Sequence, residues 1–307
     1  METASGSWAA APAARLILIL SSERSGSTLL RVILGGHSGI IAPQELFILR
    51  YRDFETWRQR KPVAIESLSE LLKLIGRPMT EAQIEQECRG KSAADVYRWL
   101  YDPLPARTYV LDKTPAYAND PNTLARSFEL KPFYIWLIRH PLGVIDSHVR
   151  LKEKARRNKS LRERMLHPVR DAVERWTDGM TAIGRVREAK WTRQNANIRA
   201  FLRDVPQEQQ TRVYFEDLVS APDNVIAALC GAIGIAAEPD MIRPDTRQVM
   251  NPHLGDPNFH LHGAIDAQPA SGWRARYDES RLRPETMELV QQIGVRRGTQ
   301  SDRSNAA

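Results

Sequence analysis

Along the chain, short unbroken apolar runs alternate with longer stretches whose apolar positions recur at helical spacing. Leu16 to Leu20 is five apolar residues in a row, too short for a helix, and predicts a strand buried on both faces of a parallel sheet. Phe133 to Ile138 is a second such run, and Thr108 to Leu111, Arg212 to Phe215 and the short Gly39 to Ala42 predict three more strands. Helical spacing begins at Ser25 and continues through Leu29, Leu30, Val32, Ile33 and Leu34. It returns over about Glu45 to Arg58 (apolar face Leu46, Leu49 and Phe54) and over Ile65 to Ile75, which stops at Gly76. Thr80 with Gln83 forms a capping box, and Ser92 opens a helix to Leu100. Further helices are predicted after Pro141, through Val144 and Ile145, over Pro168 to Phe201 with Trp176, Ile183 and Ile198 inward, and over Asn224 to Ile233, closed by Gly234. The alternation predicts an α/β fold, an open parallel β-sheet flanked by helices, with a helical insertion at about 45–105 between two strands.

In such sheets, polar residues just past a strand's carboxyl end face the ligand crevice. Three strand ends carry suitable chemistry. After the first comes Ser21 to Gly26 and then a helix start, so Arg24, Ser25, Gly26, Ser27, Thr28 and Leu29 surround free helix N–H groups that suit a tetrahedral oxyanion. After Thr108 to Leu111 comes Lys113, a second candidate cation or a solvated loop residue. After Phe133 to Ile138, Arg139 is the first charge, and Ser147 follows eight residues later on a helix, a pair suited to a dianion. Glu45 falls twenty-one residues after Arg24, in what the spacing predicts is a helix's first turn. It is either a catalytic carboxylate or a partner of the helix dipole.

Several phosphate and nucleophile motifs are missing. The G-x-x-x-x-G-K-[ST] loop of nucleotide hydrolases does not occur, and Gly90-Lys91-Ser92 reads as a helix boundary with Ser92 as cap. No G-x-G-x-x-G follows a strand, and Gly36-His37-Ser38-Gly39-Ile40 lacks the second glycine of an esterase elbow. Nucleotide hydrolase, dehydrogenase and serine esterase are therefore disfavoured.

With 307 residues the chain can bury a large core as one domain, and its formal net charge of +7 suits an anionic ligand. The basic residues are dispersed and no nucleic-acid motif is found, so no nucleic-acid partner is expected. Two cysteines, Cys88 and Cys230, form no disulfide framework. Met1 to Ala14 has no basic residue ahead of its apolar run, and no apolar stretch approaches the ~20 residues needed to span a bilayer. The expectation is a soluble, cytoplasmic protein without a membrane partner, ordered from 15 to 293 between disordered ends at 1–14 and 294–307.

Arg24-Ser25-Gly26-Ser27-Thr28 at a strand-to-helix junction resembles the 5′-phosphosulfate loop of sulfotransferases that use 3′-phosphoadenosine 5′-phosphosulfate (PAPS). Arg139-His140-Pro141 with Ser147 resembles their 3′-phosphate motif, and the spacing of Glu45 from Arg24 is similar to that of the catalytic Glu in tyrosylprotein sulfotransferases. Phe215 to Val219, Gly255 to His262 and Gly272-Trp273-Arg274 resemble the tail of sulfotransferase domains from bacterial polyketide and nonribosomal-peptide assembly lines and their free-standing relatives. Glu23 departs from those domains, which commonly carry Pro there.

The resemblance implies a P-loop-like fold with the insertion covering the acceptor site. It implies PAPS as co-substrate, adenosine 3′,5′-bisphosphate as product, and no metal. The implied catalytic residues are Glu45 and Arg24, with His260 and His262 as the next candidates for the base. The implied nucleotide contacts are Arg24 to Leu29, Arg139, Ser147, Trp273 and Arg274, with Lys113 at the acceptor. A metal site at His253, His260 and His262 is disfavoured by their spacing. The acceptor class it implies is a hydroxylated acyl chain, either a small molecule or bound to a carrier. Arg150 to Arg164, with eight basic residues against two acidic, is either a solvated lid or a docking patch for an acidic carrier protein. Competing readings are a non-catalytic PAPS sensor, a kinase, and a sulfotransferase for a glycan or protein tyrosine.

Overall fold

The computed structural model describes residues 15–157, 182–242 and 268–295. Five parallel strands form one sheet: β1 (Leu16–Ser21), β2 (Ile40–Ile41), β3 (Tyr109–Lys113), β4 (Phe133–Ile138) and β5 (Gln210–Tyr214), in the order β2-β3-β1-β4-β5. Every residue of β1, β3 and β4 is buried; β1 and β4 accordingly appear as charge-free runs, whereas β3 ends in the buried charged pair Asp112 and Lys113.

Alternate side chains enter two separate cores. Leu16, Leu18, Leu20, Val110, Tyr134 and Trp136 pack against α3 (Ala64–Leu74), α5 (Ala93–Tyr101) and α8 (Ala182–Leu202). On the other face, Ile17, Ile19, Leu111, Ile135 and Leu137 meet α1 (Ser27–Gly35), α9 (Phe215–Ser220) and α10 (Pro222–Ile233). The remaining helices are α2 (Phe54–Arg60), α4 (Glu81–Cys88), α6 (Pro121–Ala125), α7 (Pro141–Arg157), α11 (Gln268–Ser271) and α12 (Pro284–Gln292). Among the described residues no helix is long and apolar enough to cross a membrane.

Helix boundaries follow local chemistry. The Thr80 and Gln83 capping box forms as predicted, Ser92 caps α5, and Gly234 closes α10 at φ 84°. Val295, beyond the expected limit at 293, still packs on the core with its N–H on the Val290 carbonyl. Residues 1–14, 158–181, 243–267 and 296–307 lie outside the described residues, and with them Trp176 and most of the two expected disordered ends.

The predicted helix over Glu45 to Arg58 does not form as one element. A 3₁₀ turn at Ile48–Arg50 is followed by a break at Tyr51 and Arg52, and α2 starts only at Phe54, capped by Asp53. Phe47 adopts φ 58°, which a helix interior excludes. The backbone groups of this segment bond instead to side chains beyond helical reach, one within the segment and the others roughly seventy residues downstream. Trp57 Nε1 donates to the Leu46 carbonyl (2.7 Å), Phe47 N to Thr114 Oγ1 (3.4 Å) and Leu49 N to Tyr117 OH (3.3 Å). Arg126 donates to the Leu49 and Arg50 carbonyls at 2.8 and 3.0 Å. Glu45 therefore sits on an irregular loop at the carboxyl edge of the sheet, not in a helix's first turn.

Candidate active site

β1 delivers the chain into a turn at Ser22 to Gly26, where Ser22 Oγ and Ser25 Oγ share a hydrogen bond at 2.7 Å. Arg24 and Gly26 both adopt left-handed backbone, at φ 64° and 88°. Gly26 is required twice over, because a Cβ there would lie 2.4 Å from Cδ2 of Phe215. The turn starts α1 at Ser27, leaving the N–H groups of Ser27, Thr28 and Leu29 without intrahelical acceptors. Ser25, Ser27 and Thr28 are buried, while Leu29 packs half-buried against the α1-side core.

Arg139 follows β4 directly, at the same edge of the sheet. Its Nη1 donates to the Arg24 carbonyl (2.9 Å) and its Nη2 to the Pro269 carbonyl (2.8 Å). The guanidinium lies over the Phe215 ring, 4.3 Å from the centroid. Phe215 thus fills the space between the glycine of the first motif and the arginine of the second. Arg24 Nε in turn donates to Ser147 Oγ at 3.1 Å. Residues 24, 139 and 147 are joined in one chain of contacts.

Burial dominates the electrostatics here. It pulls Arg139 down to about 10, with the Glu216 charge opposing. His148, beside Ser147, is pushed down to about 3 by burial and then by the charges of Arg187, Arg24, Lys190 and Arg139. Glu23 answers part of this positive field by pairing with Lys190 and, at 3.6 Å, with Arg187 of α8. The loop is thereby anchored to α8 through Glu23.

At the end of β3, Lys113 is 2% exposed and donates to Glu45 Oε1 at 2.6 Å. It is an internal partner of Glu45 and not a solvated loop residue. Arg31 of α1 is also buried; its Nη1 donates to the Ala42 carbonyl, and burial pulls it down to about 10 against the charges of Glu70 and Glu45. Trp273 stacks its ring on His140 at 4.2 Å with 6° between planes, and the Arg274 guanidinium lies 5.3 Å from the Trp273 centroid. His253, His260 and His262 lie outside the described residues, as do the side chains of 155–164 in the basic run. Arg150, Lys152 and Lys154, at the start of that run, are exposed.

Four residues of this region were given no role from sequence: Phe215, Glu216, Arg31 and His148. The signal for the first two lay in the segment Phe215 to Val219, whose place right after a strand puts it at the crevice. The other two are single basic residues on helices, where no pattern separates a buried charge from a solvated one.

Glu216 gives a pH prediction. It is buried, accepts from His140 N at 3.0 Å through Oε1, and has no hydrogen bond on Oε2 among the described residues. Burial pushes its pKa up to about 7. The folded protein therefore holds a proton that the unfolded chain has released, and stability falls as pH rises from the ordinary carboxylate range through 7. Glu216→Gln keeps the acceptor oxygen and removes the titration. Its denaturation free energy should lack that decline and exceed the wild-type value at pH 8 by on the order of 3 kcal/mol. Parallel stability–pH curves for the two proteins would refute this.

A family model described as the Sulfotransferase family matches residues 17–239. Among solved structures, the sulfotransferase domain from the curacin biosynthetic pathway is 30% identical, with 91% of this chain and 97% of that one covered, at a TM-score of 0.73. The sulfotransferase domain of the Synechococcus PCC 7002 olefin synthase is 28% identical over 92% and 94% of the two chains, at a TM-score of 0.74. No curated protein matches the chain. The family match spans β1 to the residues after α10 and so includes both strand-end motifs and the Phe215 wedge between them: this chain belongs to the sulfotransferase family.

Proposed function

We propose that the protein transfers a sulfuryl group from PAPS to a hydroxyl of a small or carrier-bound acyl acceptor. The observation that carries this reading is the contact chain from Arg139 through Arg24 to Ser147, which joins two anion-binding motifs at one sheet edge. The residues fit the nucleotide's two phosphate ends. Three helix N–H groups beside Arg24 suit the phosphosulfate, and the buried Arg139 guanidinium, whose Nε has no partner among the described residues, supplies positive charge for the 3′-phosphate.

PAPS supplies the activated sulfuryl group. In the transfer, the acceptor oxygen forms a bond to sulfur, the bond from sulfur to the phosphate oxygen breaks, and the acceptor proton passes to Glu45. Lys113 donates to Oε1 of Glu45 and fixes the carboxylate, leaving Oε2 as the oxygen that takes the proton in this reading. Arg24 and the loop N–H groups stabilise the charge that develops on the leaving phosphate. Arg24 acts electrostatically, since a guanidinium keeps its proton. The catalytic unit in this reading is residues 15–293, with the helical stretch at about 45–105 forming the acceptor wall.

Both similar structures come from biosynthetic systems, a curacin pathway and an olefin synthase, which supports an acyl acceptor over a glycan or tyrosine. Exposed Arg150, Lys152 and Lys154 on α7 offer basic charge suited to an acidic carrier protein, with Arg150 also paired to Asp146.

Three measurements test the proposal. Arg139→Ala should weaken adenosine 3′,5′-bisphosphate binding in calorimetry by about tenfold to a hundredfold, the value of a charge-assisted contact. Unchanged affinity would remove the 3′-phosphate assignment. Glu45→Gln should lower kcat by about a hundredfold to ten-thousandfold while leaving bisphosphate affinity intact. Full turnover would move the base elsewhere, and an absence of wild-type turnover across a panel of hydroxyl acceptors would favour a sensor. A 3-hydroxyacyl carrier protein should be preferred over its free acid, and the preference should shrink as salt screens the docking charges. Equal rates at every ionic strength would leave a free small-molecule acceptor.

A further inference from the structure

Glu45 is held through its side chain by Lys113, and the preceding residue on the same strand is tied to the same loop by another route. Asp112 is fully buried and faces the sheet side opposite Lys113. Its carboxylate accepts from Tyr97 OH of α5, from Tyr117 OH (2.6 Å) and from Thr114 Oγ1 (2.8 Å). Burial raises its pKa, and these three bonds oppose the rise. Burial and the carboxylate beside them push both phenols well above their ordinary range, so both stay protonated as donors.

Two of the three hydroxyls then act as acceptors for the Glu45 loop. Thr114 Oγ1 takes the N–H of Phe47 and Tyr117 OH that of Leu49, two and four residues beyond Glu45. Between them the backbone holds the left-handed turn at Phe47, φ 58°. Such a conformation in a bulky residue persists only where the surroundings impose it. A hydroxyl whose proton is committed to Asp112 presents its lone pair to a backbone N–H, which fixes the direction of both relays.

We infer that Asp112 is a positioning residue for the acceptor base: through Thr114 and Tyr117 it fixes the Phe47–Leu49 backbone, and so the place of the Glu45 carboxylate. This rests on the assignment of Glu45 as base. Misplacement by about 1 Å at a reacting group can cost up to about a hundredfold in rate, so the effect belongs in kcat and not in nucleotide binding.

The test separates the two relay hydroxyls from the third. Thr114→Val and Tyr117→Phe should each lower kcat about tenfold or more with bisphosphate Kd unchanged, and Thr114→Ser should restore the rate. Tyr97 OH also lies 3.4 Å from Tyr117 OH but bonds no backbone group of the loop, so Tyr97→Phe should lower thermal stability with a smaller loss of kcat than Tyr117→Phe. Asp112→Asn should reproduce the Thr114→Val effect; should it fail to fold, the hydroxyl variants still decide. Amide exchange at Phe47 and Leu49 should accelerate in Thr114→Val and Tyr117→Phe but not in Tyr97→Phe. A kcat loss in Tyr97→Phe equal to the other two, or unchanged exchange at Phe47 and Leu49, would overturn the inference. In a Glu45→Gln background the Thr114→Val effect on kcat should vanish. If Glu45→Gln alone keeps full turnover, the base assignment fails, and the exchange result still decides whether Asp112 holds the loop.

Discussion

A buried guanidinium, with no carboxylate in contact among the described residues, organises the nucleotide end of this protein. Arg139 is 6% exposed, and its nearest compensations are two carbonyl oxygens and an aromatic face, with Asp146 and, once ionised above about pH 7, Glu216 farther off. Removing such a charge from water is costly, and dipoles and a ring offset that cost less fully than a carboxylate does. The arrangement keeps the cation's field available to an incoming anion. A tightly paired carboxylate would have quenched it. The Phe215 ring that supports Arg139 also forbids any side chain at position 26, so the same contact shapes the loop that α1 grows from.

β1 and β4 were legible because they are buried on both faces and read as charge-free runs; β3 and the edge strand β5, which carry charges, still start and end within two residues of the predicted limits. The short β2 and the caps of α4 and α5 were legible for local reasons: turn residues and capping chemistry act within a few positions. The stretch from Glu45 to Asp53 was not. Its apolar residues mimic helical spacing, but its backbone partners are Thr114, Tyr117 and Arg126, roughly seventy residues downstream, and no local pattern encodes them.

The same division runs through the candidate site. Arg24 and Arg139 could be singled out because each sits just past a strand end, and Ser147 because it follows Arg139 by eight residues on the next helix. Their mutual contacts could not, since they depend on the order in which the strands lie side by side. Lys113 illustrates the difference. Its place past a strand was readable, whereas its burial against Glu45 arises only when the loop after β2 wraps over the end of β3. Charges held inside by other charges look, in sequence, like charges in solvent.

Strand order also sets a constraint on how the chain reaches this state. β1 lies between β3 and β4, and its register pairs Leu16 with Val110 and Ile17 with Phe133, so the most buried strand has no partner from its own neighbourhood. Every bond it makes to the sheet closes a loop of the order of a hundred residues, a slow event compared with helix formation. The helices between β2 and β3, whose contacts are mostly local, can form while β1 still waits. During synthesis the apolar run Leu16 to Leu20 emerges long before β3 and β4, and through that interval it has neither of its native partners, the kind of exposed apolar edge that favours aggregation.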